Sequence, residues 1–325
     1  MELIFYILLN ILALVMCTKY VVIVSKKLMF LIWASTYLVM VLIVRAQYDY
    51  DINTYARSME YSSLSLYYIK EPVIWLGQRF LFNLINSSYL TFIFTDICAG
   101  IILYRALKIF SLPQYSYFSF LTFFPFIIGF QNIYRQWFAS IIMIYLISLV
   151  LRYDNKLVKK YFIFAISILT HNASAIFLPF LFIRPKRAIS KIFLVFALII
   201  SIFGVKYGLD TKSSRDTGGN LALAYLALFL IIVFLLILVD FLKIQFEARW
   251  QYIFLAVGLI ICATGIIFGG SSASERISIY LLMLMYPLLI LKIEERFKSP
   301  QFIRMMITVC GFFPIFVFGT ATFIL

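Results

Sequence analysis

The single histidine of the chain is the first candidate for chemistry. His171 is the only histidine among 325 residues, and it stands beside Asn172 between two apolar runs. An unperturbed imidazole has a pKa near 6.5, so at neutral pH it can take a proton from a hydroxyl group. A packing residue or a helix cap would give the same pattern. His171 is therefore predicted to be a general base, and a structural role is the alternative.

Two arginines could bind an anion. Arg135 is the only charged residue in a short connection between two apolar runs, and an arginine at membrane depth is costly unless it faces a wet cavity or a partner. A guanidinium binds phosphate or carboxylate through two parallel hydrogen bonds, which makes a lipid-linked diphosphate a natural ligand. An internal salt bridge, for example to Asp96, is the alternative. Arg276 and Tyr280 would share a helical face, where Glu275 could simply neutralise Arg276.

A pair of aspartates is the third candidate. Asp49 and Asp51 form a DxD pattern, which in some enzymes holds a divalent metal on a diphosphate. Two carboxylates on one loop are few for a metal that prefers six oxygen ligands. A solvated loop with local turns and an acid–base role on a sugar hydroxyl are the alternatives. A single histidine argues against a zinc site, which normally takes several nitrogen or sulfur ligands. We predict no metal site and no cofactor.

The composition places these groups in a membrane protein. Of the residues, 64% are apolar and 13% are charged, and the mean hydropathy is +1.01. Soluble domains have about 45 to 50% apolar and about 25% charged residues. These values exclude a large soluble catalytic domain and a nucleic-acid-binding module. We predict an all-α polytopic membrane protein with a single integral membrane domain over residues 1–325.

Apolar runs that end at charged or turn residues predict about 10 to 12 transmembrane helices, since a span needs about 20 apolar residues. The twelve predicted crossings are 3–24, 28–44, 87–107, 115–130, 136–151, 157–170, 173–183, 191–207, 221–242, 251–268, 277–291 and 305–325. One larger external loop, at about 45–86, follows the second crossing. The crossings at 251–268 and 277–291 are joined by a predicted outer loop.

The distribution of basic residues decides how the region 157–183 crosses. A hairpin of two short helices around His171 places 19 of the 28 lysines and arginines on the inner side and nine outside. A single span would place 13 inside and 15 outside. Lysine and arginine are enriched on the cytoplasmic side of membrane proteins. The count therefore favours the hairpin, with His171, Arg135 and Arg276 all on the outer side.

Taken in order, several short motifs resemble those of the polysaccharide polymerases of the Wzy/EpsG type. These motifs are Asp51-x-x-x-Tyr55 after the second span, Glu71-Pro72 before an apolar segment, Arg135-Gln136-x-x-Ala139, His171-Asn172-x-Ser174 followed by Pro179, and Arg276-x-x-x-Tyr280. The resemblance covers most of the chain.

The resemblance implies a membrane glycosyltransferase with a GT-C-like architecture. Such an enzyme would act at the outer, periplasmic face of the bacterial inner membrane, in O-antigen, lipopolysaccharide or exopolysaccharide synthesis. It would transfer a growing glycan from undecaprenyl diphosphate to the non-reducing-end sugar of another lipid-linked repeat unit. The implied partners are the undecaprenyl-diphosphate-linked oligosaccharide, the lipid bilayer and a chain-length co-polymerase. A flippase for the same lipid-linked sugar and a membrane O-acyltransferase are the alternatives.

Under this interpretation the candidate residues have two predicted roles. The catalytic residues are His171 or Asp51 as the base, and Arg135 and Arg276 as the clamp on the diphosphate. Predicted substrate-binding residues are Arg45, Tyr55, Asn132, Gln136, Arg215 and Tyr280.

Overall fold

The computed structural model describes residues 2–18, 25–46, 50–60, 66–152, 157–183, 188–209, 249–296 and 301–318, with isolated positions between 230 and 234. Every regular element within these ranges is a helix. The α-helices are α1 (Glu2–Met16), α2 (Lys26–Arg45), α3 (Tyr50–Glu60), α4 (Pro72–Ile85), α5 (Ser88–Phe110), α6 (Tyr115–Thr122), α7 (Phe124–Asn132), α8 (Tyr134–Arg152), α9 (Leu157–Thr170), α10 (Ala188–Leu209), α11 (Arg249–Arg296) and α12 (Gln301–Phe318). Two 3₁₀ helices cover Leu66–Lys70 and Asn172–Phe182.

Four helical segments in the described ranges are long and apolar enough to cross a membrane: Lys26–Arg45, Ser88–Phe110, Tyr134–Arg152 and Glu275–Glu294. The last two are buried along almost their whole length, so they form the centre of the bundle. Large apolar side chains on α1, α2 and α10 are exposed instead, as expected for helices that face lipid. This all-helical architecture is that of a polytopic membrane protein. Twelve crossings stay a prediction, and 221–242 lies almost wholly outside the described residues.

The predicted break at His171 is present. α9 ends at Thr170, His171 adopts an extended conformation (φ −151°, ψ 117°), and a 3₁₀ helix begins at Asn172. The chain then turns back, because the Ser167 and Ser174 hydroxyl oxygens on the two sides of the break are 2.9 Å apart. The two short helices therefore form a hairpin whose tip carries the histidine.

The region near residue 270, predicted as an outer loop, is helical, and the chain reverses its direction there. The α11 residues are helical throughout, yet Cys262 Sγ lies 3.6 Å from Ser278 Oγ. A straight helix would separate these residues by about 24 Å, since the rise is 1.5 Å per residue. The chain therefore doubles back between them, and the predicted crossings 251–268 and 277–291 are the two arms of one element.

Two other predicted segments differ from expectation. The segment 45–86, predicted as an external loop, contains α3, a 3₁₀ helix and α4 among its described residues. The crossing predicted at 115–130 is broken at Phe123 into α6 and α7. Pro125 lies in the first turn of α7, where backbone N–H groups have no acceptor within the helix. The proline therefore costs the helix no hydrogen bond.

A buried ion pair joins α2 to α5. Arg45 Nε donates to Asp96 Oδ2 at 2.7 Å, and the two side chains are 1% and 0% exposed. Asp96 also accepts a hydrogen bond from the Tyr134 hydroxyl at 2.8 Å, and Arg45 donates to the Phe130 carbonyl at 3.0 Å. At Gly100, a Cβ would collide with the Tyr37 ring, so the glycine lets α2 approach α5 closely.

This pairing changes the interpretation of two arginines. Arg45, a predicted substrate-binding residue, is buried inside the bundle, where it connects α2 to α5 through Asp96 and to α7 through the Phe130 carbonyl. Asp96, considered as a salt-bridge partner of Arg135, is instead the partner of Arg45.

Replacing Asp96 by Asn should lower the free energy of unfolding by about 3 to 5 kcal/mol, because it leaves the Arg45 charge buried without a counter-charge. Thermal unfolding of the purified protein in detergent measures this loss. Glu60→Gln, an exposed carboxylate on α3, is the matched control and should leave the unfolding temperature unchanged. Unfolding of Asp96→Asn at the wild-type temperature would contradict the structural role of the pair.

Candidate active site

Glu71 is the residue around which the candidate site is built. It precedes Pro72, which begins α4, and so occupies the position of a helix cap. Its carboxylate does not cap α4. Instead it accepts hydrogen bonds from segments about 60 and 100 residues away in the sequence. The side chain is only 2% exposed, so these hydrogen bonds take the place of the hydrogen bonds that water would make to the carboxylate.

The tip of the hairpin supplies two of the donors. His171 Nδ1 lies 2.7 Å from Glu71 Oε1. The backbone N–H of Asn172, at the start of the 3₁₀ helix, donates to the same oxygen at 3.1 Å. A carboxylate at Nδ1 favours the tautomer with the proton on that nitrogen, which makes Nε2 the basic atom of the ring. Glu71 thus fixes both the orientation and the tautomer of the imidazole.

Arg135 contacts the other oxygen of the same carboxylate. It lies in the first turn of α8, and Nη1 donates to Glu71 Oε2. Its Nε donates to the Tyr55 hydroxyl at 2.7 Å, and the guanidinium carbon lies 5.1 Å from the centre of the Trp75 ring. The side chain is 18% exposed, so the guanidinium reaches the surface of the site. Arg135 is thereby held in place by α3 and α4 while it keeps contact with solvent.

A second layer of contacts fixes the hairpin against α8 and α11. The Tyr280 hydroxyl lies 2.8 Å from Ser174 Oγ, and its ring stacks on Phe177 with centroids 4.3 Å apart. Gln136 Nε2 donates to the backbone carbonyl of Arg276. The Arg276 side chain is exposed, so it is accessible to a ligand while Gln136 holds the Arg276 backbone in place.

The environment of Glu71 determines its charge. Burial alone would raise the pKa of its carboxyl, but the hydrogen bond and charge of His171, the charge of Arg135 and the Asn172 N–H together lower that pKa to about 2. Glu71 is therefore ionised at every pH near neutrality and is a poor base. It serves as a fixed negative charge between an imidazole and a guanidinium.

The predicted site residues thus fall into three groups. The structure brings together His171, Arg135 and Tyr55, with Arg276 connected through Gln136. Gln136 and Tyr280 are buried and bonded within the protein, while Asn132 ends α7 next to the site and is half-buried. Arg215, Asp49 and the side chain of Asp51 lie outside the described residues.

Glu71 was missed as a site residue, although the Glu71-Pro72 motif was recognised. The signal in the sequence was an acidic residue directly before the proline that begins an apolar helix. A carboxylate near the membrane requires a partner, so this position could have been identified. Within the described part of the chain, no three His, Cys, Asp or Glu side chains come together as metal ligands.

The pKa of Glu71 predicts how stability depends on pH. Glu71→Gln should lower the free energy of unfolding by about 3 kcal/mol near neutral pH, because the mostly buried Arg135 loses its counter-charge. A carboxyl whose folded pKa of about 2 lies below its reference value of 4.5 stabilises the fold fully above 4.5, and this stabilisation is lost as the pH falls toward 2. Thermal unfolding of both proteins near pH 7 and in acid measures the difference, and a difference that grows in acid would contradict the assignment.

One family model matches this chain. The model of the EpsG family matches residues 30–324, a range that includes every residue of the candidate site. No curated protein and no solved structure gives a significant match. Since the family match covers far more than half of the chain, the protein belongs to the EpsG family, which comprises polysaccharide polymerases of the EpsG/Wzy type.

Proposed function

We propose that this protein elongates a polysaccharide by transferring the growing glycan from undecaprenyl diphosphate to the non-reducing-end sugar of another lipid-linked repeat unit. The observation that carries this proposal is the shared carboxylate of Glu71, which holds a potential base, His171, and a potential phosphate ligand, Arg135, side by side. A glycosyl transfer from a diphosphate requires both groups, one at the acceptor hydroxyl and one at the leaving group.

In the proposed reaction, Nε2 of His171 takes the proton from the acceptor hydroxyl. The hydroxyl oxygen forms a bond to the anomeric carbon of the donor sugar, and the bond from that carbon to the diphosphate oxygen breaks. Arg135 and Arg276 stabilise the negative charge that gathers on the diphosphate. Glu71 stabilises the imidazolium that results, as the carboxylate of a catalytic triad does.

The geometry favours His171 over an acidic residue as the base. Glu71, whose pKa is about 2, binds a proton too weakly for this role. Asp51 remains the second candidate, since position 51 precedes Tyr55 by one turn of α3 and the Tyr55 hydroxyl contacts Arg135. Asn132, which is half-buried, is proposed to lie next to the bound sugar. Arg45, Tyr55, Gln136 and Tyr280 are proposed to support the site rather than to contact substrate, because they are buried and bonded within the protein.

The proposed location is the periplasmic face of the bacterial inner membrane. Arg45, Glu71, Arg135 and His171 lie at one end of the bundle. The other end carries the pair formed by Arg304 and Glu294, and there Arg152 caps the last carbonyl of α5 at 2.8 Å. The count of lysine and arginine along the sequence predicts an excess at this second end, which supports its assignment to the cytoplasm. A GT-C-like arrangement of the helices and a chain-length co-polymerase as partner are parts of the same proposal.

The histidine is tested by reconstitution. Purified protein in liposomes, incubated with a lipid-linked repeat unit, should release undecaprenyl diphosphate and form polymer. His171→Ala should slow this reaction at least about 100-fold, because general bases contribute about 10²- to 10⁴-fold. Unchanged polymer formation by His171→Ala would exclude the base assignment. Movement of the lipid across the bilayer without polymer would instead indicate a flippase, and an acylated sugar would indicate an acyltransferase.

The clamp is tested by Arg135→Lys, which keeps the charge but removes the planar pair of donors. The rate of polymer formation should fall about 100-fold, as expected for loss of one preorganised donor to the leaving group. Arg57→Lys, an exposed arginine on α3, is the matched control and should keep the wild-type rate. Equal rates for both variants would count against diphosphate binding at Arg135.

A further inference from the structure

A cavity lies at the opposite end of the bundle from Glu71. It measures about 400 Å³ and is enclosed by α2, α5, α6 and the 111–114 turn. Lys26 begins α2, and Arg45 ends it 19 residues later, so the cavity is about 30 Å from the Arg45 end of that helix. This cavity and the candidate active site are therefore separate and lie toward opposite ends of the bundle.

Two lysines give the cavity a positive charge. Lys26 on α2 and Lys108 on α5 both line it, and both are exposed. No acidic side chain is among its described lining residues. The carbonyls at the end of α5 are already bonded, since Phe110 accepts from Arg152 and Leu107 accepts from the Leu112 N–H at 3.2 Å. The cavity thus presents cations without a neutralising anion from the described protein.

Aromatic rings form the remainder of the wall. On α2, Phe30 and Trp33 follow Lys26 at spacings that share one helical face, and on α5, Tyr104 precedes Lys108 by four residues. The Phe30 and Tyr104 rings meet edge to face with centroids 4.8 Å apart. Each lysine is thus followed, toward the membrane centre, by rings that can contact a hydrocarbon chain.

We propose that this cavity binds an anionic phospholipid of the cytoplasmic leaflet. Its phosphate lies between Lys26 and Lys108, and one acyl chain lies along Phe30, Trp33 and Tyr104. Basic pockets between transmembrane helices on the cytoplasmic side are the sites at which such head groups bind. The volume of about 400 Å³ lies within the range of about 300 to 1,000 Å³ that is typical of small-molecule binding pockets.

Titration of the full-length protein with phosphatidylglycerol, followed by native mass spectrometry, tests the proposal without any need for polymerase activity. Each lysine near a membrane surface contributes enough attraction that the double variant Lys26→Gln, Lys108→Gln should bind this lipid about 30-fold more weakly. Phosphatidylcholine with the same chains should bind weakly to both proteins. Phe30→Ala should weaken binding of long-chain phosphatidylglycerol more than that of a short-chain form.

The matched control is the double variant Lys27→Gln, Arg105→Gln. These residues are exposed neighbours on the same helices, they do not line the cavity, and their replacement removes the same charge. This control should bind phosphatidylglycerol as the wild type does. An equal loss in both double variants would reduce the effect to general surface charge and overturn the proposal. Displacement of the lipid by millimolar inorganic phosphate, or a preference for undecaprenyl phosphate, would also overturn it and assign the cavity to that ligand.

Discussion

The candidate site depends on one buried negative charge. The Glu71 carboxylate is removed from water, and its stability requires donors from other parts of the chain. Those donors are the tip of the hairpin, at His171 and Asn172, and the first turn of α8, at Arg135. The requirement to satisfy this single group therefore joins the start of α4 to the hairpin and to α8. It also orients the side chains that are proposed to do the chemistry.

The buried pair of Arg45 and Asp96 differs from the pair of Arg135 and Glu71 in how far its arginine is exposed. Arg45 and Asp96 are 1% and 0% exposed and are surrounded by aromatic rings, so no ligand can reach them. Arg135 is 18% exposed and lies at the edge of its cluster. In both pairs, the opposite charge offsets the free-energy cost of placing an ion in an apolar environment. Only the pair of Arg135 and Glu71 leaves a cation where a substrate could contact it.

The sequence predicts features that depend on local pattern or on overall charge. Apolar periodicity locates α8 and α9 within two residues at each end, and the count of basic residues predicts the hairpin at His171. The pairing of charges is different, because Glu71 and His171 are 100 residues apart and no local rule connects them. The sequence places both Arg45 and Arg135 next to apolar runs and predicts a substrate contact for each, so it does not show which of them is buried. Only the packing of α2 against α5 shows which of them is sealed.

The most direct test of the central claim is an experimental density map of the protein bound to an undecaprenyl-diphosphate-linked sugar. If the Glu71 cluster binds the donor, diphosphate density should lie within hydrogen-bonding distance of the Arg135 guanidinium, with the anomeric carbon facing the side of the site where His171 lies. Diphosphate density only at the opposite end of the bundle, with the Glu71 cluster closed and without a ligand, would contradict the claim.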